Sequence, residues 1–341
     1  MGWDGTLRSA YPGLGEADHV PGRVARVDRG VCTVLTAGGP ARASLAGAVL
    51  CAGAADPAAL PCAGDWVAVR TWPDGRITLE AVLPRRTAIV RRTADKSSIG
   101  QVLAANLDSA AVVEAMDPEP DAGRIERLLA LAFESGAEPL VVLTKADLAA
   151  NARAVAEQVA DVAPGVPVLA VSADRGRGLE PLRPLVAAGR TLALLGRSGA
   201  GKSTLVNALA GARVMATQTI RRADGKGRHT TTFRVLVPIP GGGAVLDTPG
   251  IRGVGLLDAA DGLDGAFADV ADLAAGCRFG DCRHVGEPGC AVQEAIAAGE
   301  LAPRRLESWR RLQREVAWEA RRQAVRLRRT RRVRAERPRG S

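Results

Sequence analysis

Hydrophobic and polar positions follow two different periods along this chain. Between Gly22 and Leu83 apolar residues alternate with polar ones in short runs: Arg23-Val-Ala-Arg-Val27, Val31-Cys-Thr-Val-Leu35, Asp65-Trp-Val-Ala-Val-Arg70 and Arg76-Ile-Thr-Leu-Glu-Ala-Val-Leu83. Pro73-Asp74-Gly75 joins the last two. Period-two alternation with Gly and Asp-Gly punctuation predicts strands and turns, hence a small all-β unit. Four or five strands in about 65 residues suit a five-stranded barrel of the oligonucleotide-binding (OB) type, with an SH3-like barrel fitting the same pattern. The predicted barrel spans residues 20–84, behind a Gly-rich, loosely held extension over residues 1–19. Trp66 and Trp72 could stack on bases or fill the barrel and its rim.

Pro84-Arg-Arg-Thr-Ala-Ile-Val-Arg-Arg-Thr93 reads as a basic linker. Beyond it the period lengthens. A strand over Ala110–Val113 is followed by a helix over Gly123–Ser135, a strand over Pro139–Leu143, a helix over Ala149–Val162 and a strand over Val166–Val171. A helix over Leu179–Ala188 then leads to a strand over Leu192–Leu195. This alternation predicts a mainly parallel sheet covered on both faces, an α/β domain assigned to residues 85–257. Within it, Ala212 to Arg228 is polar and without apolar period, a mobile stretch before a strand over Phe233–Pro238, the Gly241–Gly243 turn and Ala244-Val-Leu-Asp247. Helical patterning returns around a cysteine cluster in residues 258–320. An Arg-rich tail, residues 321–341, ends a long helix.

Composition adds limits. At 341 residues the chain has room for two or three domains, and 47% hydrophobic residues support a globular protein. The apolar runs are too short to cross a bilayer and the N-terminus does not have the form of a signal peptide, so a cytoplasmic protein without membrane association is expected. The net charge of +9 is uneven, because residues 321–341 hold ten Arg and one Glu and the preceding 320 residues sum to zero. Such a tail is either simply solvated or drawn to a polyanion, and its density points to nucleic-acid phosphates. Cys32, Cys51 and Cys62 lie in apolar stretches and are expected to be buried free thiols.

The densest chemistry lies between the predicted strand at Leu192–Leu195 and a helix beginning near Thr204. Gly196-Arg197-Ser198-Gly199-Ala200-Gly201-Lys202-Ser203 has the spacing of a phosphate-binding P-loop. Its glycines let backbone N–H groups converge on phosphate oxygens, and the helix N-terminus adds its dipole. Lys202 would reach the β and γ phosphates and Ser203 would meet magnesium. Asp247-Thr-Pro-Gly250 has the form of the magnesium and γ-phosphate sensor of GTPases. Thr144-Lys145-Ala146-Asp147 is similar to the guanine-reading Asn-Lys-x-Asp motif, and Ser172-Ala173 to the segment that backs the base. A carboxylate at Asp147 accepts the N1 and N2 hydrogens of guanine, a pair adenine lacks. Asp147 and Ser172 precede Gly196, so the order is that of a circularly permuted GTPase.

Downstream, Cys277, Cys282, His284 and Cys290 offer three thiolates and an imidazole. That set suits a closed, tetrahedral, structural zinc that folds a small helical lobe. Three free cysteines beside a surface His are the plainer alternative.

These motifs, with the barrel and Gly227-Arg-His-Thr-Thr-Thr232, resemble the small ribosomal subunit biogenesis GTPase A family over nearly the whole chain. The resemblance implies an OB-fold N-terminus, a permuted GTPase, a zinc-bound C-terminal domain, and GTP hydrolysis stimulated by the small ribosomal subunit and its rRNA during late maturation. Thr144 stands where the family pattern has Asn, which is expected to remove amide contacts near base and P-loop. Ile251 follows the sensor where a water-orienting Gln is common, so His229 becomes a candidate to position water and slow intrinsic turnover is expected. Thr230, with Thr231 and Thr232 as rivals, is the expected switch ligand of magnesium. Gly199 replaces the Asn of potassium-activated relatives, so potassium activation is not expected, and a monomer is. Two rival readings remain: an rRNA-binding placement factor that uses nucleotide only as an occupancy switch, and an ATP-using P-loop enzyme.

Overall fold

The computed structural model describes residues 2–11, 18–92, 100–215, 234–248 and 260–335. A short helix, α1 (Gly5–Ser9), precedes three strands, β1 (His19–Asp28), β2 (Val31–Thr36) and β3 (Gly39–Leu45). Helix α2 (Gly47–Ala55) separates these from β4 (Trp66–Thr71) and β5 (Ile77–Val82). The five strands close in the order β1-β2-β3-β5-β4, with β3 parallel to β5 and the other pairs antiparallel. A closed barrel with a helix between its third and fourth strands decides for the OB type over the SH3-like one. Inward residues Val24, Cys32, Val34, Val67, Val69 and Leu79 fill it, and Val49 of α2 joins them. The alternation that predicted the strands is thus the alternation of the pleat.

Three expectations change here. The N-terminal segment is docked: Asp4 caps α1, and Leu7 and Tyr11 are buried against Trp66, Ala68 and Leu83. Trp66 is a packing residue beneath Trp3, and Trp72 lies on the rim with the Arg70 guanidinium 3.9 Å from its ring centroid. The basic linker contains a strand, β6 (Ala88–Arg92), paired antiparallel with β7 (Gly100–Ala105). Arg85 and Arg86 are used internally. Arg85 forks onto the buried Asp65 at 2.7 Å through both Nε and Nη2, and Arg86 meets Asp4 at 2.6 Å. Cys32 and Cys62 are buried, with burial pushing the Cys32 thiol up to about 11, whereas Cys51 is exposed on α2.

The central sheet contains β8 (Ser109–Ala115), β9 (Glu138–Thr144), β10 (Val168–Ala170), β11 (Thr191–Leu195), β12 (Val235–Pro238) and β13 (Ala244–Asp247). They lie in the order β10-β9-β8-β11-β13-β12, parallel except for the edge strand β12. Both faces are covered, so the strands are continuous apolar runs. Ala110, Val112, Val141, Leu143, Ala193 and Leu195 face a layer that includes α3 (Ala122–Glu134). Ala111, Val113, Leu140, Val142, Leu192 and Leu194 face the layer of α5 (Lys202–Ala210). Helix α4 (Ala152–Ala160) follows β9. The predicted helix at 179–188 is a 3-10 turn over Glu180–Val186, because Pro184 lacks the N–H an α-helix needs.

Helices α6 (Ala260–Ala266), α7 (Ala268–Ala275), α8 (Ala291–Ala297) and the long α9 (Pro303–Ala335) complete the chain. Phe267, Val270, Val292, Leu306, Trp309 and Leu312 extend the α3 side of the core. The Arg-rich tail is therefore helical through Ala335. Among the described residues no helix is long and apolar enough to cross a membrane.

Candidate functional site

Parallel pairing fixes where the motifs meet. Leu194 pairs with Asp247, Leu195 with Val112, Ala115 with Thr144 and Ala170 with Leu143. The strand ends that carry Gly196, Asp247, Thr144 and Ser172 therefore share one edge of the sheet. Their shuffled order along the chain has no effect on that arrangement, because each loop depends only on where its own strand ends.

The loop from Gly196 to Gly201 is shaped by backbone demands. A Cβ on Gly196 would lie 2.3 Å from the carbonyl oxygen of Val113, so β8 permits only Gly there. Gly199 and Gly201 have φ of +83° and +87°, which L side chains rarely adopt. Helix α5 starts at Lys202, whose ammonium donates to the carbonyls of Gly196 at 2.7 Å and Arg197 at 2.9 Å. Burial lowers the Lys202 pKa, opposed by the negative charges of Asp247 and Glu114. Burial likewise raises Asp247, opposed by Lys202. Each charge is thus uncomfortable alone and partly relieved by the other.

Asp247 is 2% exposed, and among the described residues its Oδ1 accepts no hydrogen bond. A buried acceptor without a donor beside a phosphate loop suits a hard cation that prefers oxygen ligands. Thr248 secures this corner by donating its hydroxyl to Leu194 O at 2.6 Å. Gly250, His229 and Thr230, with Thr231 and Thr232, lie outside the described residues.

The guanine-motif loop is tied to the phosphate loop. Thr144 Oγ1 donates to Ala200 O at 2.6 Å, and a Cβ on Gly201 would lie 2.9 Å from Thr144 Oγ1. Thr144 carries no amide to make the contacts an Asn would, yet its hydroxyl reaches the loop directly. Lys145 takes a positive φ of +56° and turns the chain so that Asp147 reaches Ser172. Ser172 Oγ donates to Asp147 Oδ1 at 2.6 Å, and Arg175 Nε to Oδ2 at 3.2 Å. The Ser172 hydroxyl foremost, with help from Arg175 and against some burial, holds the Asp147 carboxyl below its ordinary range.

Sequence reasoning missed three residues here. Glu114, fully buried at the end of β8, accepts from Arg124 Nε at 3.0 Å and lies 3.8 Å from Arg197 Nε. Its signal was a carboxylate inside an otherwise apolar strand. Arg175 had no signal beyond its place in a short loop. Asn207 of α5 holds the next loop by bonding the N–H groups of Val214 and Met215 and the carbonyl of Met215.

The cysteine cluster forms a second site. Ligand atoms of Cys277, Cys282, His284 and Cys290 all lie within 4.8 Å of one another. His284 Nδ1 is 3.5 Å from the sulfurs of both Cys277 and Cys290, which are 3.9 Å apart. A tetrahedral ion with metal–sulfur bonds of about 2.3 Å and metal–nitrogen bonds of about 2.0 Å separates such atoms by roughly 3.5–3.8 Å. The donor set fits one metal ion. Burial first, then Arg310, lowers the His284 pKa and favours the neutral ring a metal requires. Helix α9 supports the knuckle: Arg310 donates to His284 O at 2.5 Å, and Trp309 lies against the imidazole with centroids 5.5 Å apart.

The same helix grips the sheet domain. Arg305, 2% exposed, bonds Glu126 Oε1 of α3 at 3.0 Å and both oxygens of Asp269 at 2.6 and 3.0 Å. Arg127 of α3 forks onto Glu315 at 2.5 Å.

The family profile of RsgA GTPases matches residues 82–257. The chain is 55% identical to the small ribosomal subunit biogenesis GTPase RsgA of Streptomyces coelicolor over 317 residues, 92% of this chain and 85% of that one. It is 43% identical to the protein of that name from Syntrophotalea carbinolica, over 93% of this chain and 89% of that one. The crystal structure of YjeQ from Thermotoga maritima superposes with a TM-score of 0.65 at 27% identity, covering 88% of this chain and 99% of that one. YloQ, described as a circularly permuted GTPase, shares the fold at a TM-score of 0.62 and 22% identity, over 89% and 96% of the two chains.

Proposed function

This chain belongs to the RsgA GTPase family, and from that premise we propose that it hydrolyses GTP to GDP and phosphate during late maturation of the small ribosomal subunit. The observation that carries the reading is the shared sheet edge, where Lys202, Asp247, Thr144 and the Asp147–Ser172 pair stand at or just beyond the ends of neighbouring parallel strands. Gly196 to Thr204 would cradle the phosphates, Lys202 would neutralise their charge, and the Gly250 N–H would meet the γ-phosphate. Asp147 would read guanine, with Lys145, Ala146, Ser172 and Ala173 framing the base. Ser203, Thr230 and Asp247 would hold magnesium, which supplies charge neutralisation between phosphates and helps orient them.

His229 is our candidate for positioning the attacking water, in place of the side chain that Ile251 lacks. Turnover by the isolated protein would then be slow, and contact with the small subunit and its rRNA would raise it. The cysteine knuckle would hold a single structural zinc, since three thiolates and an imidazole leave no open position. The Arg-rich end of α9 would add phosphate contacts to the rRNA. The protein would act as a cytoplasmic monomer.

Phosphate release with and without purified small subunits tests the proposal. Stimulation is expected, and its absence would favour a placement factor in which nucleotide only marks occupancy. Competition between GDP and ADP tests the base assignment, and equal affinity would return the ATP-using alternative.

A further inference from the structure

The carboxylate assigned to guanine has both oxygens engaged within its own fold. Ser172 and Arg175 come from one tight turn, closed by Ser172 N to Arg177 O and Arg177 N to Ser172 O, both at 3.0 Å, and by Arg175 N to Ser172 O at 3.2 Å. Gly178 makes the exit possible: its φ is +73°, and a Cβ there would lie 2.3 Å from Ala170 O. The turn therefore presents two donors to one carboxylate, and they differ in kind. The Ser172 bond is short, at 2.6 Å, and its hydroxyl belongs to a residue 4% exposed, so it orients the carboxylate and stays. The Arg175 bond is longer, at 3.2 Å, and its side chain is 60% exposed, so it can leave at little cost.

The chemistry of the two candidate partners is the same. Guanine offers Asp147 an N–H pair on the N1–C2–N2 fragment, and that fragment is itself a guanidine. Arginine carries the same planar N–C–N fork and always bears charge. We propose that Arg175 is a built-in competitor of the guanine base: it occupies the Asp147 oxygen that the base must take, is displaced on binding, and recaptures the carboxylate as nucleotide departs. The inference rests on Asp147 being the guanine reader. Its consequence is specific to the base edge, and it weakens guanine nucleotides while favouring their release.

The test is a titration of GDP and ADP against the full-length protein and its Arg175→Ala variant, with GDP dissociation followed in parallel. Loss of an exposed ion pair that competes with ligand should tighten GDP by about two- to fivefold. Dissociation should slow by a similar factor, and raised ionic strength should shrink the difference by screening the pair in the parent protein. A gain of affinity cannot arise from a damaged loop, so misfolding does not imitate the result. A parent that prefers GDP over ADP while Arg175→Ala leaves GDP affinity unchanged or weaker would overturn the competitor and leave the guanine assignment standing. A parent that binds ADP as well as GDP would overturn the assignment of Asp147 and the competitor with it.

Discussion

At the sheet edge the phosphate loop is shaped by the backbone, while the cysteine knuckle at the other end of the chain is shaped by side chains. The loop needs Gly196 because Val113 O leaves no space for a Cβ, and positive φ at Gly199 and Gly201. Behind it stand parallel strands buried on both faces, so the edge is rigid before any ligand arrives. The knuckle has no sheet behind it. His284 sits at a φ of +59° in a cluster that could hold one metal ion, supported by Arg310 and Trp309 of α9 and by Arg305 fastening that helix to Glu126 and Asp269. One site is made by strand geometry. The other is made by ligation and charge, where a single loss spreads.

The largest expected effect follows from removing the metal, by chelation or by Cys290→Ser. Structural metal in such lobes contributes on the order of 10 kcal/mol to folding, so α8 and the start of α9 should lose amide protection while GDP binding at the sheet edge persists. Hydrogen exchange with metal content measured alongside checks this, and equal loss of protection in both regions would erase the contrast. Arg305→Met should destabilise the protein by about 1–3 kcal/mol, because Glu126, 0% exposed, would keep only the bond from Arg304 at 3.1 Å and Asp269 would lose its fork. Adding Glu126→Gln should recover part of that loss in denaturant unfolding.

Gly201→Ala forces a side chain to adopt a φ of +87° against Thr144, and about 1–3 kcal/mol of strain should appear as weaker GDP binding with little change in unfolding of the C-terminal lobe. Thr144→Val removes the bond to Ala200 O and should weaken GDP by about fivefold, near 1 kcal/mol, with the preference over ADP retained. The smallest effect concerns pH. The Asp147 carboxyl is held below its ordinary range, so its charged form is complete above that range and is lost only as pH falls through the lowered value. Guanine selectivity should therefore stay level from about pH 7 to about pH 5. A loss of selectivity within that window would place the carboxyl elsewhere.

Much of this was legible because the signals are local. Gly-rich spacing, alternation in Val31–Leu35, and four metal-binding side chains within a short span do not depend on distant partners. What escaped the sequence was contributed by partners far away in the chain. Arg85 and Arg86 look free until Asp65 and Asp4 are beside them. Thr144 looks like a lost amide until Ala200 O is found within reach of its hydroxyl. The N-terminal segment looks loose because Leu7 and Tyr11 are sparse apolar residues whose pocket comes from β4 and the residue following β5.

The sequence by itself determined most of the kinds of elements, the phosphate-loop chemistry and the metal donor set, since each is encoded by residues close together in the chain. Only the tertiary structure decided that four loops in shuffled order reach one edge, that Arg175 shares a carboxylate with Ser172, and that Arg305 joins the C-terminal helix to α3. Strand register and burial set those distances, and both arise from packing between segments whose separation in sequence carries no information about their separation in space.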